Sequence, residues 1–286
     1  MIFPKEIEII EVGPRDGLQN EPKQISTEQK KQLISQLYAA GIERMETVSF
    51  VNPKLVPQMA DSAEIAQFCN DLGLQYIALT PNVKAIDRAI EAKVPQIAVF
   101  VGASSTFNQK NINKTTSESL IECKPIFEKA KKEDIFIRAY VSMAFTCPYE
   151  GHVSFSDVVD VCKHFIELGA DEIDIGDTNG KANPKMVYER FSRLKDLFPE
   201  TTFVGHFHDT QKMALENVLA AMQAGVTKFD SSIGGLGGCP FSPGATGNVS
   251  TEELVRMLTE MGCQTNLDVD QLLKISPYAK SLSSRI

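Results

Sequence analysis

Two of the chain's four histidines stand two residues apart, in His206-Phe207-His208-Asp209. In a strand, positions i and i+2 share a face, so both imidazoles point the same way. Far away in the chain, Arg15-Asp16 lies between Gly13 and Gly17, which let the backbone turn tightly around the pair. Asp16 with His206 and His208 makes a donor set of one carboxylate and two imidazoles, suited to a divalent metal. Three protein ligands leave positions open for substrate oxygens. Taken singly, each motif has a plainer reading as well: a surface turn with a local charge pair, and paired core histidines.

A further stretch is rich in glycine. Six of the 18 glycines fall between 234 and 247, around Cys239, and Asn248 closes the stretch. It is not a dinucleotide loop, because Pro240 stands where Gly-x-Gly-x-x-Gly needs its third glycine. The composition suits a lid that closes over a site. Cys69 and Cys162, at helical apolar positions, read as core filler; Cys239 does not. A free thiol has a pKa of about 8.5, so Cys239 is mostly protonated at neutral pH and can donate a proton. As a nucleophile it lacks a base beside it in sequence. Asn248 offers a further oxygen toward a metal. Glu46, Arg138 with Tyr140, Asp174, Asp177 and Thr178 add polar groups, each of which also fits a satisfied core position. His164 reads as a surface or packing residue, and His152 is left open.

These residues need elements to bring them together. Strands are expected over 7–12, 44–50, 76–80, 96–101, 136–143, 172–176, 203–208 and 228–233. Helices are expected over 33–40 (capped near Ser26 or Thr27), 62–72, 82–92, 118–131, 155–168, 185–197, 212–224 and 251–261. Glycines at 41, 73, 169 and 225 stand where helix ends favour a left-handed residue. Regular strand–helix alternation demands parallel strands with helical crossovers. Eight such units in 286 residues match an α/β (β/α)8 TIM barrel better than an open doubly wound sheet. One domain over 1–286 is expected, with a short C-terminal extension after Met261 packed on the barrel or on a neighbouring subunit, as in a homodimer. In this fold the active site gathers at the C-terminal ends of the strands. There the seventh and first strands both flank the eighth, which lets His206, His208 and Asp16 converge.

Composition narrows the function. Lys plus Arg is 29 against 37 for Asp plus Glu, a formal charge of −8. A general nucleic-acid binder would need a basic face, so no nucleic acid is expected as partner. No apolar run approaches the ~20 residues that span a bilayer, and no secretory signal is seen at the start, so no membrane association is expected. Six scattered cysteines without a Cys-x-x-Cys pair suggest free thiols in a reducing, cytoplasmic setting.

The motifs together resemble the 3-hydroxy-3-methylglutaryl-CoA lyase family. The likeness rests on Gly13-Pro14-Arg15-Asp16-Gly17-Leu18-Gln19-Asn20-Glu21, Glu46-Thr47-Val48-Ser49-Phe50-Val51, His206-Phe207-His208-Asp209, Gly235-Leu236-Gly237-Gly238-Cys239-Pro240-Phe241 and Gly247-Asn248. They come in the family's order across nearly the whole chain. The resemblance implies cleavage of 3-hydroxy-3-methylglutaryl-CoA, an acyl-CoA, to acetyl-CoA and acetoacetate, with a role in leucine degradation. It implies that Asp16, His206, His208 and Asn248 bind Mg²⁺ or Mn²⁺, that Arg15 sits by the thioester carbonyl, and that Cys239 is the catalytic acid. Glu46, Arg138, Tyr140, Asp177 and Thr178 are then expected to bind substrate, and Lys110 and Lys114 to reach the CoA phosphates. Asp16, His206 and Glu46 remain alternatives for the base that takes the hydroxyl proton. Two departures stand out: Gly234 where the family usually has Ala, and the polar Asn179-Gly180-Lys181. The second bears on what the pocket accepts. The alternatives are a lyase for a longer-branched 3-hydroxyglutaryl-CoA, a 2-oxo-acid aldolase, an acetyl-CoA-dependent synthase (against which the short tail counts), and a barrel that binds metal or CoA without turnover.

Overall fold

Short runs rich in β-branched and apolar residues form the strands of this computed structural model, which describes residues 3–238 and 247–284. In chain order the elements are β1 (Glu8–Glu11), α1 (Thr27–Ala39), β2 (Arg44–Ser49), α2 (Ser62–Leu72), β3 (Gln75–Leu79), α3 (Val83–Glu91), β4 (Gln96–Gly102), α4 (Ser105–Ile112), α5 (Thr116–Lys132) and β5 (Phe136–Ser142). There follow β6 (Thr146–Cys147), β7 (Gly151–His152), α6 (Phe155–Leu168), β8 (Glu172–Asp177), α7 (Pro184–Leu197), β9 (Phe203–Phe207), α8 (Ala214–Gln223), β10 (Lys228–Ser231), α9 (Thr251–Glu260) and α10 (Val269–Leu282). Eight parallel strands close in the order β1-β10-β9-β8-β5-β4-β3-β2, the expected (β/α)8 barrel.

Local signals account for the helix ends. Ser26 and Gln29 cap α1 reciprocally, as Thr115 and Glu118 cap α5. The glycines at 41, 73, 169 and 225 all have positive φ. Three features depart from the expected elements. The polar segment before α5 forms α4, begun by the Ser104 hydroxyl accepting from Phe107 N. It read as a loop because Phe107 and Asn108 alone are buried along it. The segment after β5 carries the small antiparallel pair β6–β7, too short to show a period. The tail after Met261 forms α10, with Leu272, Ile275, Ala279 and Leu282 buried along one face. It lies on the barrel's own helices, where the Tyr278 hydroxyl donates to Gln29 O at 3.2 Å.

The core has two parts. Most buried apolar residues, among them Leu33, Phe127, Phe165 and Phe191, fill the layer between strands and helices. Inside the barrel, Ile10, Ile77, Leu79, Ala98, Tyr140 and Val204 form a small apolar cluster. The rest of the interior is charged. At its N-terminal end Arg44 meets Glu172 through two hydrogen bonds, 2.6 and 3.0 Å, and Lys228 pairs with Glu8 at 2.8 Å. Above them Arg138 is fully enclosed, 2.7 Å from Asp174 and 2.5 Å from Asp230. Buried charges persist only when paired in this way. Among the described residues no helix is long and apolar enough to cross a membrane.

Candidate active site

β1 runs into the wide turn Gly13–Gly17, closed by Gly17 N donating to Val12 O at 3.1 Å. Glu11 anchors the turn from below. Its Oε1 accepts from Gly13 N at 2.7 Å and from Ile233 N at 3.0 Å, which ties the turn to the loop after β10. The Thr251 hydroxyl donates to Oε2 at 2.6 Å. Burial outweighs these donors and pushes the Glu11 carboxyl up to about 8.

The turn presents Arg15 and Asp16 side by side. Arg15 is clamped by Glu46 on β2, Nε to Oε1 at 2.8 Å and Nη2 to Oε2 at 2.9 Å, and its Nη1 donates to Asp16 at 2.8 Å. The Tyr140 hydroxyl, from β5, donates to Glu46 Oε2 at 2.6 Å. Both oxygens of Glu46 are therefore committed to positioning Arg15.

On β9 the alternation holds. Phe207 turns outward against Phe145 and Phe191, with ring centroids 6.3 and 6.4 Å away. His206, and His208 just past the strand end, turn inward, their rings 5.3 Å apart. Ligand atoms of Asp16, His206 and His208 all lie within 4.8 Å of one another. The two motifs thus converge at the C-terminal end of the barrel. Asn248 joins them, its amide donating to Asp16 Oδ2 at 2.8 Å and to Leu236 O at 3.1 Å. Its Oδ1 is buried with no hydrogen-bond partner among the described residues. The backbone beside it permits no side chain: a Cβ on Gly247 would lie 1.7 Å from Gly235 O.

Charge is divided sharply within the cluster. Burial opposes ionisation of Asp16, yet Arg15, the two histidines and the Asn248 amide hold its carboxyl down at about 2. Burial also disfavours a charged His206, but its bond to Asp230 and the charges of Asp174, Asp230 and Asp16 bring it up to about 9. Below, burial and the neighbouring Asp230 push Asp174 up to about 8. Asp230 is held below its ordinary range, despite burial, by Arg138 and His206. Asp174, His206 and Asp230 form a second close group of metal-binding residue types. The Arg138 guanidinium already supplies the cation there.

Several expected substrate contacts are placed differently. Arg138 is fully enclosed below the cluster, where its Nη2 bridges Asp174 and Asp230 rather than facing the mouth. Asp177 accepts from the backbone of Lys181 and Ala182 at 3.1 and 3.0 Å, so it shapes its own loop. Thr178 accepts from Met143 N at 2.9 Å, and Asn179 turns to the Thr146 hydroxyl at 2.8 Å. Cys239 lies outside the described residues. Gly238, its neighbour, is described, and its carbonyl accepts from Asn20 at 3.0 Å. His152 is exposed on β7, and His164 Nε2 lies 3.2 Å from Leu120 O, a packing role. Two site residues escaped the sequence reading, Asp230 and Glu11. The only signal was an acid inside a predicted strand.

Two cavities frame the barrel. One of ≈ 600 Å³ opens at the N-terminal end, lined by Glu8, Arg44, Gln96 and Lys228. Its charges pair with one another, and the reactive cluster is at the other end. The second, ≈ 420 Å³, is lined by Thr80, Asn82, Phe100, Lys110 and Lys114, beside the C-terminal ends of β3 and β4.

The profile of the HMGL-like family matches residues 6–278. The chain belongs to the HMGL-like family. It is 43% identical over 279 residues to the hydroxymethylglutaryl-CoA lyase YngG of Bacillus subtilis (strain 168), covering 97% of this chain and 93% of that protein. The crystal structure of the Bacillus subtilis HMG-CoA lyase superposes with a TM-score of 0.94 at 43% identity, over 98% of this chain and 95% of that one. An HMG-CoA lyase from Acinetobacter baumannii, in complex with coenzyme A and 3-methylmalate, superposes with a TM-score of 0.91 at 38% identity, over 99% and 92% of the two chains. Family membership thus extends over the barrel and every described element of the site.

Proposed function

We propose that this chain is a divalent-metal-dependent carbon–carbon lyase that cleaves 3-hydroxy-3-methylglutaryl-CoA to acetyl-CoA and acetoacetate. The observation that carries the reading is the convergence of Asp16, His206 and His208 beside the clamped Arg15 at the mouth of the barrel. Near full-length likeness to lyases of that name supports the substrate.

The donor set fits a hard or borderline divalent ion such as Mg²⁺ or Mn²⁺. An ionised carboxylate and two imidazoles face one another, and the unpartnered Asn248 Oδ1 is a neutral oxygen of the right kind. When bound, the ion supplies Lewis acidity and a template for the substrate's hydroxyl and carboxylate oxygens.

The protein's own groups account for the rest. The tertiary hydroxyl must lose a proton. Glu46 is committed to Arg15 and Tyr140, and His206 gives one ring nitrogen to Asp230 and offers the other to the ion, which leaves the Asp16 carboxylate to take it. The carbon–carbon bond then breaks, its electron pair passing to the thioester enolate as the hydroxyl carbon becomes the ketone of acetoacetate. Arg15, fixed by Glu46, places its guanidinium at the developing enolate oxygen, the kind of preorganised donor that contributes several kcal/mol to barrier lowering. Cys239 gives its proton to the enolate carbon, which yields acetyl-CoA. Lys110 and Lys114 serve the CoA phosphates from the ≈ 420 Å³ cavity, with Lys110 resting 4.9 Å from the Tyr149 ring centroid and Lys114 paired with Glu122.

A coupled assay tests the reading. Purified protein with Mg²⁺ is expected to release acetoacetate from 3-hydroxy-3-methylglutaryl-CoA and to stop when a chelator is added. A panel of longer-branched hydroxyacyl-CoA esters and 2-oxo acids is expected to react more slowly. Absence of acetoacetate, or faster turnover of a panel member, would overturn the substrate.

A further inference from the structure

We propose that Asp230 is a positioning residue whose carboxylate sets the tautomer of His206, and thereby which ring nitrogen is left to meet Asp16 and His208. Asp230 sits on β10, 1% exposed, with Oδ2 2.9 Å from His206 Nδ1 and Oδ1 2.5 Å from Arg138 Nη2. The Tyr140 hydroxyl lies 3.4 Å from Oδ2. A guanidinium has no acceptor, so Oδ1 can only accept from it, and an ionised carboxylate has no proton to offer on its other oxygen. His206 must therefore donate through Nδ1. An imidazole with its proton there carries its lone pair on Nε2, toward the cluster. The opposite tautomer would aim an N–H at the ion.

The carboxylate cannot simply swing away. Arg138 is itself fixed, fully buried, by Asp174 at 2.7 Å and approached by Glu172 at 3.7 Å. The line Glu172–Arg138–Asp230–His206 thus runs from the floor of the barrel to its mouth and transmits the rigidity of the interior to one ligand ring. The ring is packed as well, perpendicular to that of Tyr140 with centroids 6.1 Å apart. This inference rests on the metal reading above.

The sharpest test is Asp230→Asn, which keeps the shape but not the symmetry of the carboxylate. Arg138 demands the amide oxygen, so the NH₂ must face His206 Nδ1. The ring must then accept there and carry its proton on Nε2, the logic by which an amide in place of a carboxylate spoils a catalytic histidine. With Mn²⁺ alone as the probe, calorimetric titration is expected to show affinity about 10- to 100-fold weaker than wild type. The melting temperature, measured alongside, is expected to fall, because Arg138 loses one of its buried countercharges, so the affinities are compared at a temperature where both proteins are folded. Equal Mn²⁺ affinity in the two proteins overturns the proposal and leaves the metal reading standing. Failure of the wild type to bind Mn²⁺ overturns both. Should the variant not fold, nitrogen-labelled histidine in Mg²⁺-saturated wild type decides the matter by NMR. A His206 signal protonated at Nδ1 and unprotonated at Nε2 supports the proposal, and the reverse assignment overturns it.

Discussion

Glu46 and Arg15 meet through two parallel hydrogen bonds of 2.8 and 2.9 Å, with side-chain exposures of 0% and 8%. They are 31 residues apart, Arg15 in the turn after β1 and Glu46 inside β2. A planar fork on a carboxylate fixes the guanidinium in direction as well as place. The functional consequence is that the turn after β1 cannot offer Arg15 to a substrate at any other angle.

Removing Glu46 should therefore cost both stability and turnover. Taking one partner from a buried ion pair costs about 3–5 kcal/mol. Arg15 keeps Asp16, so the lower end, about 3 kcal/mol, is expected for Glu46→Ala in urea denaturation. Its kcat should fall more than its Mn²⁺ affinity. A loss below about 1 kcal/mol would show that Arg15 finds another partner.

Metal affinity should depend on pH in a set direction. In the metal-free protein His206 titrates at about 9, so below that pH an ion must displace its proton. Binding is expected to tighten from about pH 6 to about pH 8, with proton release, in calorimetry run in buffers of different ionisation enthalpy. His208→Ala should weaken Mn²⁺ binding by more than about tenfold, since it leaves two of the three donors. Affinity independent of both changes would place the ion elsewhere.

Cys239→Ser separates proton donation from metal binding. A hydroxyl is a far weaker acid than a thiol, and general acid catalysis is worth about 10²–10⁴-fold. Turnover should fall by at least about a hundredfold with Mn²⁺ affinity unchanged. Wild-type rates in the variant would remove Cys239 from its role as acid.

Glu11 predicts a slope in stability. Its folded carboxyl titrates at about 8 against an ordinary 4.5, so between those values the native state holds a proton that the unfolded chain has released. That contribution is complete below about 4.5 and is lost as pH rises toward 8. Glu11→Gln keeps two acceptor contacts on its oxygen, and its NH₂ can face Thr251. The Thr251 and Ser231 hydroxyls, 2.8 Å apart, can reverse their bond to suit. The variant's stability should change less with pH over that window, and parallel curves for the two proteins would refute the assignment.

The chain's local rules were legible from residues alone. Strand–helix alternation, the Ser26 cap, the glycines that end helices and the two-residue spacing of His206 and His208 all act within a few residues. Periodicity and backbone sterics are short-range, so a linear sequence displays them. What the barrel alone decided was partnership. Tyr140 finds Glu46 from 94 residues away, Asn248 finds Asp16 from 232, and Asp230 finds both Arg138 and His206. The acids that proved central, Glu11 and Asp230, looked like any polar residue in a strand, and Arg138 looked open to substrate. Their roles depend on depth within a closed sheet and on which charge lies across it. Those are set by strand order and register, and local patterning carries no record of either.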